Sequence, residues 1–186
     1  YRAPVLQAAL EGATSLLLFP TKALAHDQLR RLRAMAQVLG VEGVFPYDGD
    51  TPSATRRQAR ERGLVLLSNP DMLHYGLLPR HPDWAPFLAR LRYVVLDELH
   101  AYRGVFGTHV ALILRRLLRL ARHYGASPQV LAASATIANA REHAEALTGL
   151  PFEELKAQVA RTERELLVLL PKPLDRRGER RRSPLL

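Results

Sequence analysis

Short apolar runs separated by longer amphipathic stretches set the rhythm of this chain. Residues 15–19, 64–68, 92–97 and 129–133 are strand-length runs dominated by Leu, Val and Ala. Such continuous runs suit strands buried on both faces rather than a sheet with one wet side. Between them apolar positions return every three or four residues, as on a helix with one buried stripe. Helices are predicted over 22–39 and 105–123. In the second, Leu112, Leu114, Leu117, Leu118 and Ala121 are apolar while Arg115, Arg116, Arg119 and Arg122 are turned outward. A helix tail stopped at Gly12, a weaker strand over 44–47 and a polar helix from Pro52 to Arg62 fit between these. Short helices in a loop region up to Arg90, a helix over 139–147 and a last strand over 165–170 complete the series. Strand–helix alternation implies βαβ units, hence an α/β, doubly wound, mainly parallel sheet with helices on both faces.

Residues 1–170 are expected to form one domain. After Pro171 the character changes: prolines and an Arg-rich stretch through Arg182 read as a basic linker or tail over 171–186. There is no internal repeat. With 186 residues, 47% hydrophobic and 24% charged, the chain has material for a core and is not of disordered composition. No apolar run approaches the ~18 residues of a membrane helix. The absence of cysteine excludes a disulfide framework, a cysteine-bound zinc finger and a thiol nucleophile. Cytoplasm is the default location. Lys and Arg number 27 against 18 acids, a formal charge of +9, which suits a polyanionic partner such as nucleic acid. An Arg-rich solvated surface explains the same balance. The opening Tyr-Arg-Ala-Pro lacks a methionine, so a fragment is expected.

The chemistry concentrates at strand ends. Val94-Val95-Leu96 runs directly into Asp97-Glu98. Two adjacent carboxylates at the tip of a buried strand are costly unless a cation or partner compensates them, and ATPases use such a pair to hold Mg²⁺ and polarise water. The other reading is an acidic start to the next helix. Three further strand ends narrow the choice: Thr21-Lys22, Ser68-Asn69-Pro70-Asp71, and Ser134-Ala135-Thr136. In doubly wound sheets ligands gather beyond the carboxyl ends of the strands, and fresh helix starts there bind phosphate.

In this order the series resembles the first RecA-like lobe of a superfamily 2 helicase of the DEAD/DEAH-box kind. Phe19-Pro20-Thr21-Lys22-Ala23-Leu24 resembles motif Ia, and Ser68-Asn69-Pro70-Asp71-Met72-Leu73 motif Ib. Asp97-Glu98-Leu99-His100 resembles motif II, and Ser134-Ala135-Thr136 motif III. Tyr47 to Pro52 and His100 to Val110 further resemble DNA-repair helicases of the MrfA type, related to RecQ-like enzymes. The likeness covers residues 1–149.

The resemblance implies ATP and Mg²⁺ as cofactors, with Asp97 holding Mg²⁺ through water and Glu98 acting as general base. It implies that His100, Ser134 and Thr136 couple nucleotide state to movement, and that a second RecA-like lobe of the same protein is the partner. Thr21, Lys22, Ser68, Asn69 and Asp71, with the loop Asp48, Gly49, Asp50 and Thr51, would face single-stranded DNA or a single/double-strand junction. It implies 3′ to 5′ movement and DNA repair. One departure stands out: no Gly-x-x-x-x-Gly-Lys-Ser/Thr phosphate loop occurs in the sequence. The lobe is therefore expected to lack its first strand and phosphate loop, leaving a sheet edge unpaired and, in isolation, little ATPase activity. A rival from another class is a non-catalytic nucleic-acid-binding or scaffold module derived from such a lobe.

Other residues read more plainly. The histidines lack the spacing of a zinc site, and no Gly-x-Ser-x-Gly elbow marks a serine nucleophile. Trp84 is expected to anchor a loop, with base stacking the alternative. For Tyr102 and Arg103, packing and strand contact both stay open.

Overall fold

The computed structural model describes residues 1–135 and 139–155. The predicted strand over 165–170, the basic tail over 171–186 and Thr136 fall outside the described residues. Strands form on the continuous apolar runs: β1 (Thr14–Leu18), β2 (Val44–Tyr47), β3 (Val65–Ser68), β4 (Leu91–Leu96) and β5 (Gln129–Ala132). They make one parallel sheet in the order β2-β3-β1-β4-β5. The order reverses direction about β1, as a doubly wound sheet requires.

The two faces carry separate cores. Leu17, Phe19, Val65, Leu67 and Val95 pack against α1 (Arg2–Leu10) and α2 (Lys22–Val38) through Val5, Leu6, Leu29 and Leu32. Leu16, Leu18, Leu66, Val94 and Leu96 pack on the other face. There they meet α3 (Ser53–Arg62), α5 (Ala85–Ala89), α6 (Gly104–His123) and α7 (Ala140–Thr148). Each central strand is thus covered on both sides, which is why its sequence shows no alternation.

The boundaries move by a residue where polar groups find partners. β1 begins at Thr14, whose buried hydroxyl donates to the Phe87 carbonyl at 2.7 Å. The loop region before β4 is continuous helical turns: α4 (Pro70–Met72), a π turn over Leu73–Leu77, a 3-10 segment over Leu78–Trp84, then α5. Trp84 is the anchor of this region. It is 2% exposed and sits edge-on to Tyr47 at 4.8 Å and Phe87 at 5.9 Å. Base stacking by Trp84 is thereby overturned.

The sheet's two edges differ. β2 carries Pro46, which blocks one backbone donor as edge strands commonly do. Among the described residues β5 has β4 as its sole neighbour, and its Gln129 and Ala132 are exposed. No described helix is long and apolar enough to cross a membrane.

Candidate nucleotide and nucleic-acid site at the strand tips

β4 delivers Asp97 and Glu98 to the carboxyl edge of the sheet. The Asp97 amide still donates to the Leu18 carbonyl at 3.0 Å, so its backbone is an extension of the sheet. Glu98 then breaks the strand with φ 53° and ψ 46°, the one non-glycine residue of positive φ among the described residues. A left-handed conformation costs a side-chain-bearing residue roughly 1–2 kcal/mol, and such strain collects at functional sites. The turn is held from both sides. Leu99, 2% exposed, anchors it in the core, and the Leu99 amide donates to the Ala133 carbonyl at 2.9 Å. Behind it a Cβ on Gly107 would collide with the Tyr102 carbonyl, so α6 can approach the turn closely.

The carboxylates have different partners. Asp97 Oδ1 accepts from the Glu98 amide at 3.0 Å, and Oδ2 accepts from the Tyr1 hydroxyl at 2.7 Å. Glu98 Oε2 lies 3.3 Å from His100 Nδ1. The same nitrogen lies 3.4 Å from Ser134 Oγ, so one imidazole spans the tips of β4 and β5. Tyr102 is fully buried and donates to the Leu18 carbonyl at 3.2 Å. Burial, then the nearby Asp97 and Glu98 charges, push its phenol well above the usual range. Tyr102 is thus a packing residue, whereas Arg103 is exposed at the start of α6.

The remaining predicted residues gather at the tips of β1, β2 and β3. Thr21 caps α2, its Oγ1 accepting from the Leu24 amide at 3.4 Å. Lys22 is paired with Asp50 at 2.8 Å. Asp48 is buried and makes the 48–51 loop a closed clip. Its Oδ1 accepts from the Thr51 hydroxyl and the Asp50 amide, both at 2.9 Å, and Oδ2 contacts His26 Nε2 at 2.9 Å. Burial by itself would raise the Asp48 pKa; the bonds from His26, Thr51 and Asp50 outweigh it and hold the carboxyl below its usual value. Gly49 faces the ammonium of Lys22, which a Cβ there would approach to 3.3 Å. Asn69 caps α4 through the Met72 amide at 2.8 Å, and Asp71 is exposed beside it.

Two of the predicted residues turn their side chains inward. Ser68 is 1% exposed and its hydroxyl donates to the Tyr47 carbonyl at 2.6 Å. The Asp48 carboxylate is 2% exposed and is engaged by Thr51, Asp50 and His26. Tyr1 and His26 are participants that the sequence did not single out. Tyr1 lies 96 residues from its carboxylate partner, a separation with no local signal.

Carboxylates at a central parallel strand's tip, with capped helix starts at the neighbouring tips, define a RecA-like lobe. The chain belongs to the DEAD/DEAH box helicase family, whose profile matches residues 1–144. It is 45% identical over 177 residues to the ATP-dependent helicase YprA of Bacillus subtilis, covering 94% of this chain and 24% of that protein. It is 41% identical over 143 residues to the ATP-dependent helicase HRQ1 of Saccharomyces cerevisiae, covering 74% of this chain and 13% of that protein. Among solved structures, the DUF1998 helicase MrfA bound to DNA superposes with a TM-score of 0.78 at 49% identity, over 81% of this chain and 21% of that one. The DEAD-box helicase Mss116 shares the fold, with a TM-score of 0.65 at 17% identity. The chain spans about a quarter or less of the length of YprA, HRQ1 and MrfA.

Proposed function

We propose that this chain is part of the first motor lobe of an ATP-dependent DNA helicase or translocase. It carries the Mg²⁺- and water-handling half of the ATP site and part of a single-strand track. The observation that carries this reading is the strained Glu98 at the tip of β4, beside Asp97 and linked through His100 to Ser134. The names of YprA and HRQ1 as ATP-dependent helicases, and the DNA in the MrfA structure, support it.

The donor set suits Mg²⁺. Asp97 offers hard oxygens whose hydrogen-bond partners among the described residues are neutral donors. Among the described residues no group of three or more His, Cys, Asp or Glu side chains could hold a metal. Mg²⁺ is commonly held by one or two carboxylates together with substrate phosphates. When bound, the ion would neutralise charge on the β- and γ-phosphates. Asp97 would hold it through water. Glu98 would take the proton of the attacking water, and the His100–Ser134 contact, with Thr136, would report the nucleotide state to the second lobe. Lys22, Thr21, Asn69 and Asp71, with the loop clipped by Asp48, would line the backbone of one DNA strand. Such contacts position a strand without reading its sequence.

The test is strand separation by the intact protein on duplexes with a 3′ or a 5′ tail. ATP- and Mg²⁺-dependent unwinding, favouring the 3′ tail, is expected. DNA binding with neither unwinding nor DNA-stimulated hydrolysis would favour the scaffold reading instead.

A further inference from the structure

Tyr1 is separated from the acidic pair by nearly a hundred residues, yet its hydroxyl lies 2.7 Å from Asp97 Oδ2. The contact follows from the fold. Tyr1 caps α1, its carbonyl accepting from the Val5 amide at 3.2 Å. Val5 and Leu6 are buried under the sheet and fix the helix against Leu17 and Val95. Arg2 Nη2 donates to Gln28 Oε1 at 2.6 Å, tying α1 to α2 as well. The Tyr1 ring itself packs on this apolar cluster. The hydroxyl is thus delivered to β4's tip by a rigid element.

We propose that Tyr1 is a positioning residue for Asp97, setting the rotation of the metal-holding carboxylate; this rests on the ATP-site reading above. Among the described residues, the carboxylate's two hydrogen-bond partners are the Glu98 amide on Oδ1 and the Tyr1 hydroxyl on Oδ2. The first belongs to the adjacent residue and turns with the same backbone. Among the described residues, Tyr1 is the one side chain from a separate element that bonds to the group and so fixes its plane. A neutral donor suits this task. An arginine in its place would orient the carboxylate too, but its positive charge would cancel the field that attracts a cation. A phenol holds the geometry and leaves the negative charge available. One lone pair on each oxygen remains for water bound to the ion.

The experiment uses the intact protein with a non-hydrolysable ATP analogue, and reads Mn²⁺ binding to the protein–analogue complex by electron paramagnetic resonance. Tyr1→Phe removes one oxygen and keeps the packing ring. Partners of residues that ligate a metal directly typically contribute about 10–100-fold in metal affinity; because Asp97 would hold the ion through water, a loss at the lower end of that range, about tenfold, is expected for Tyr1→Phe. Binding of the analogue in EDTA and the thermal midpoint should stay at parental values. Tyr1→Leu should show the same loss of Mn²⁺ affinity together with a lower thermal midpoint, since it also loses ring packing. If Tyr1 serves packing alone, Tyr1→Phe will bind Mn²⁺ like the parent and only Tyr1→Leu will differ; that result overturns the proposal. A parent protein that binds neither the analogue nor Mn²⁺ would overturn the ATP-site reading and this role with it.

Discussion

His100 and Ser134 meet across the tips of β4 and β5, with Nδ1 3.4 Å from Oγ. The same nitrogen is 3.3 Å from Glu98 Oε2, so one imidazole nitrogen contacts both the carboxylate at the tip of β4 and the hydroxyl at the tip of β5. Ser134 is exposed, and its removal leaves the core intact. Ser134→Ala combined with Thr136→Ala should keep DNA-stimulated ATP hydrolysis while impairing unwinding. Equal loss of both activities in paired ATPase and strand-separation assays would assign these hydroxyls to catalysis or folding.

Glu98 stores strain for its position. Relieving a left-handed residue recovers roughly 1–2 kcal/mol, while glycine's extra chain entropy takes back about 0.5–1. Glu98→Gly should therefore unfold no more easily than the parent, and up to about 1.5 kcal/mol less easily, while losing ATP turnover. Glu98→Val should be less stable, because a β-branched residue tolerates this conformation poorly. Denaturant melts of the two variants would check the order.

Acid should loosen the 48–51 loop. The folded Asp48 carboxyl titrates below its unfolded value near 4. Its contribution is therefore complete above that value and disappears as pH falls through the lower, folded pKa. The stability gap between the parent and Asp48→Asn should shrink as pH falls below about 4. A gap that instead grows on acidification would contradict the bonding assigned to Asp48.

Much of this architecture is legible in the sequence because its strands are buried on both faces. The runs that became β1, β3, β4 and β5 were visible as continuous apolar stretches, and their polar followers marked the site's edge. Asp97, Glu98, His100 and Ser134 could be placed together for that reason. Direction of facing was not legible. Ser68 and Asp48 have the same polar, loop-building character as Asn69 and Asp50, and only the pleat and the turn decide which are buried. Trp84 and Tyr102 were ambiguous for a related reason: an aromatic beside a site reads alike whether it packs or stacks. Tyr1 and His26 act through tertiary contacts that no local pattern encodes.

The loop region stands on Trp84. Truncating a buried tryptophan typically costs about 3–5 kcal/mol, and Trp84→Ala should fall in that range because Tyr47 and Phe87 both lose their edge-on partner. Because the Asn69 helix start sits in the same region, single-strand DNA affinity should fall as well. Trp84→Phe should recover most of the stability. Calorimetric melts alongside DNA titrations would show whether the two losses move together.

The 186 residues alone should turn over ATP poorly. The sequence contains no Gly-x-x-x-x-Gly-Lys-Ser/Thr loop, and stabilisation of the β- and γ-phosphates in such motors comes largely from that loop and from an arginine finger worth ~10³–10⁵ in rate. Titration calorimetry of the isolated chain with Mg²⁺-ATP should show no micromolar binding. Hydrolysis above the buffer background would mean that the residues described here build a more complete site than their chemistry indicates.

The proposed activation of water by Glu98 is tested most directly by DNA-stimulated turnover of the intact protein carrying Glu98→Gln, with ATP affinity measured in parallel. A general base contributes ~10²–10⁴-fold in rate. A loss of that size with ATP binding retained is expected, because the substitution keeps the shape of the side chain and removes only its basicity. Turnover within about a factor of two of the parent would contradict it.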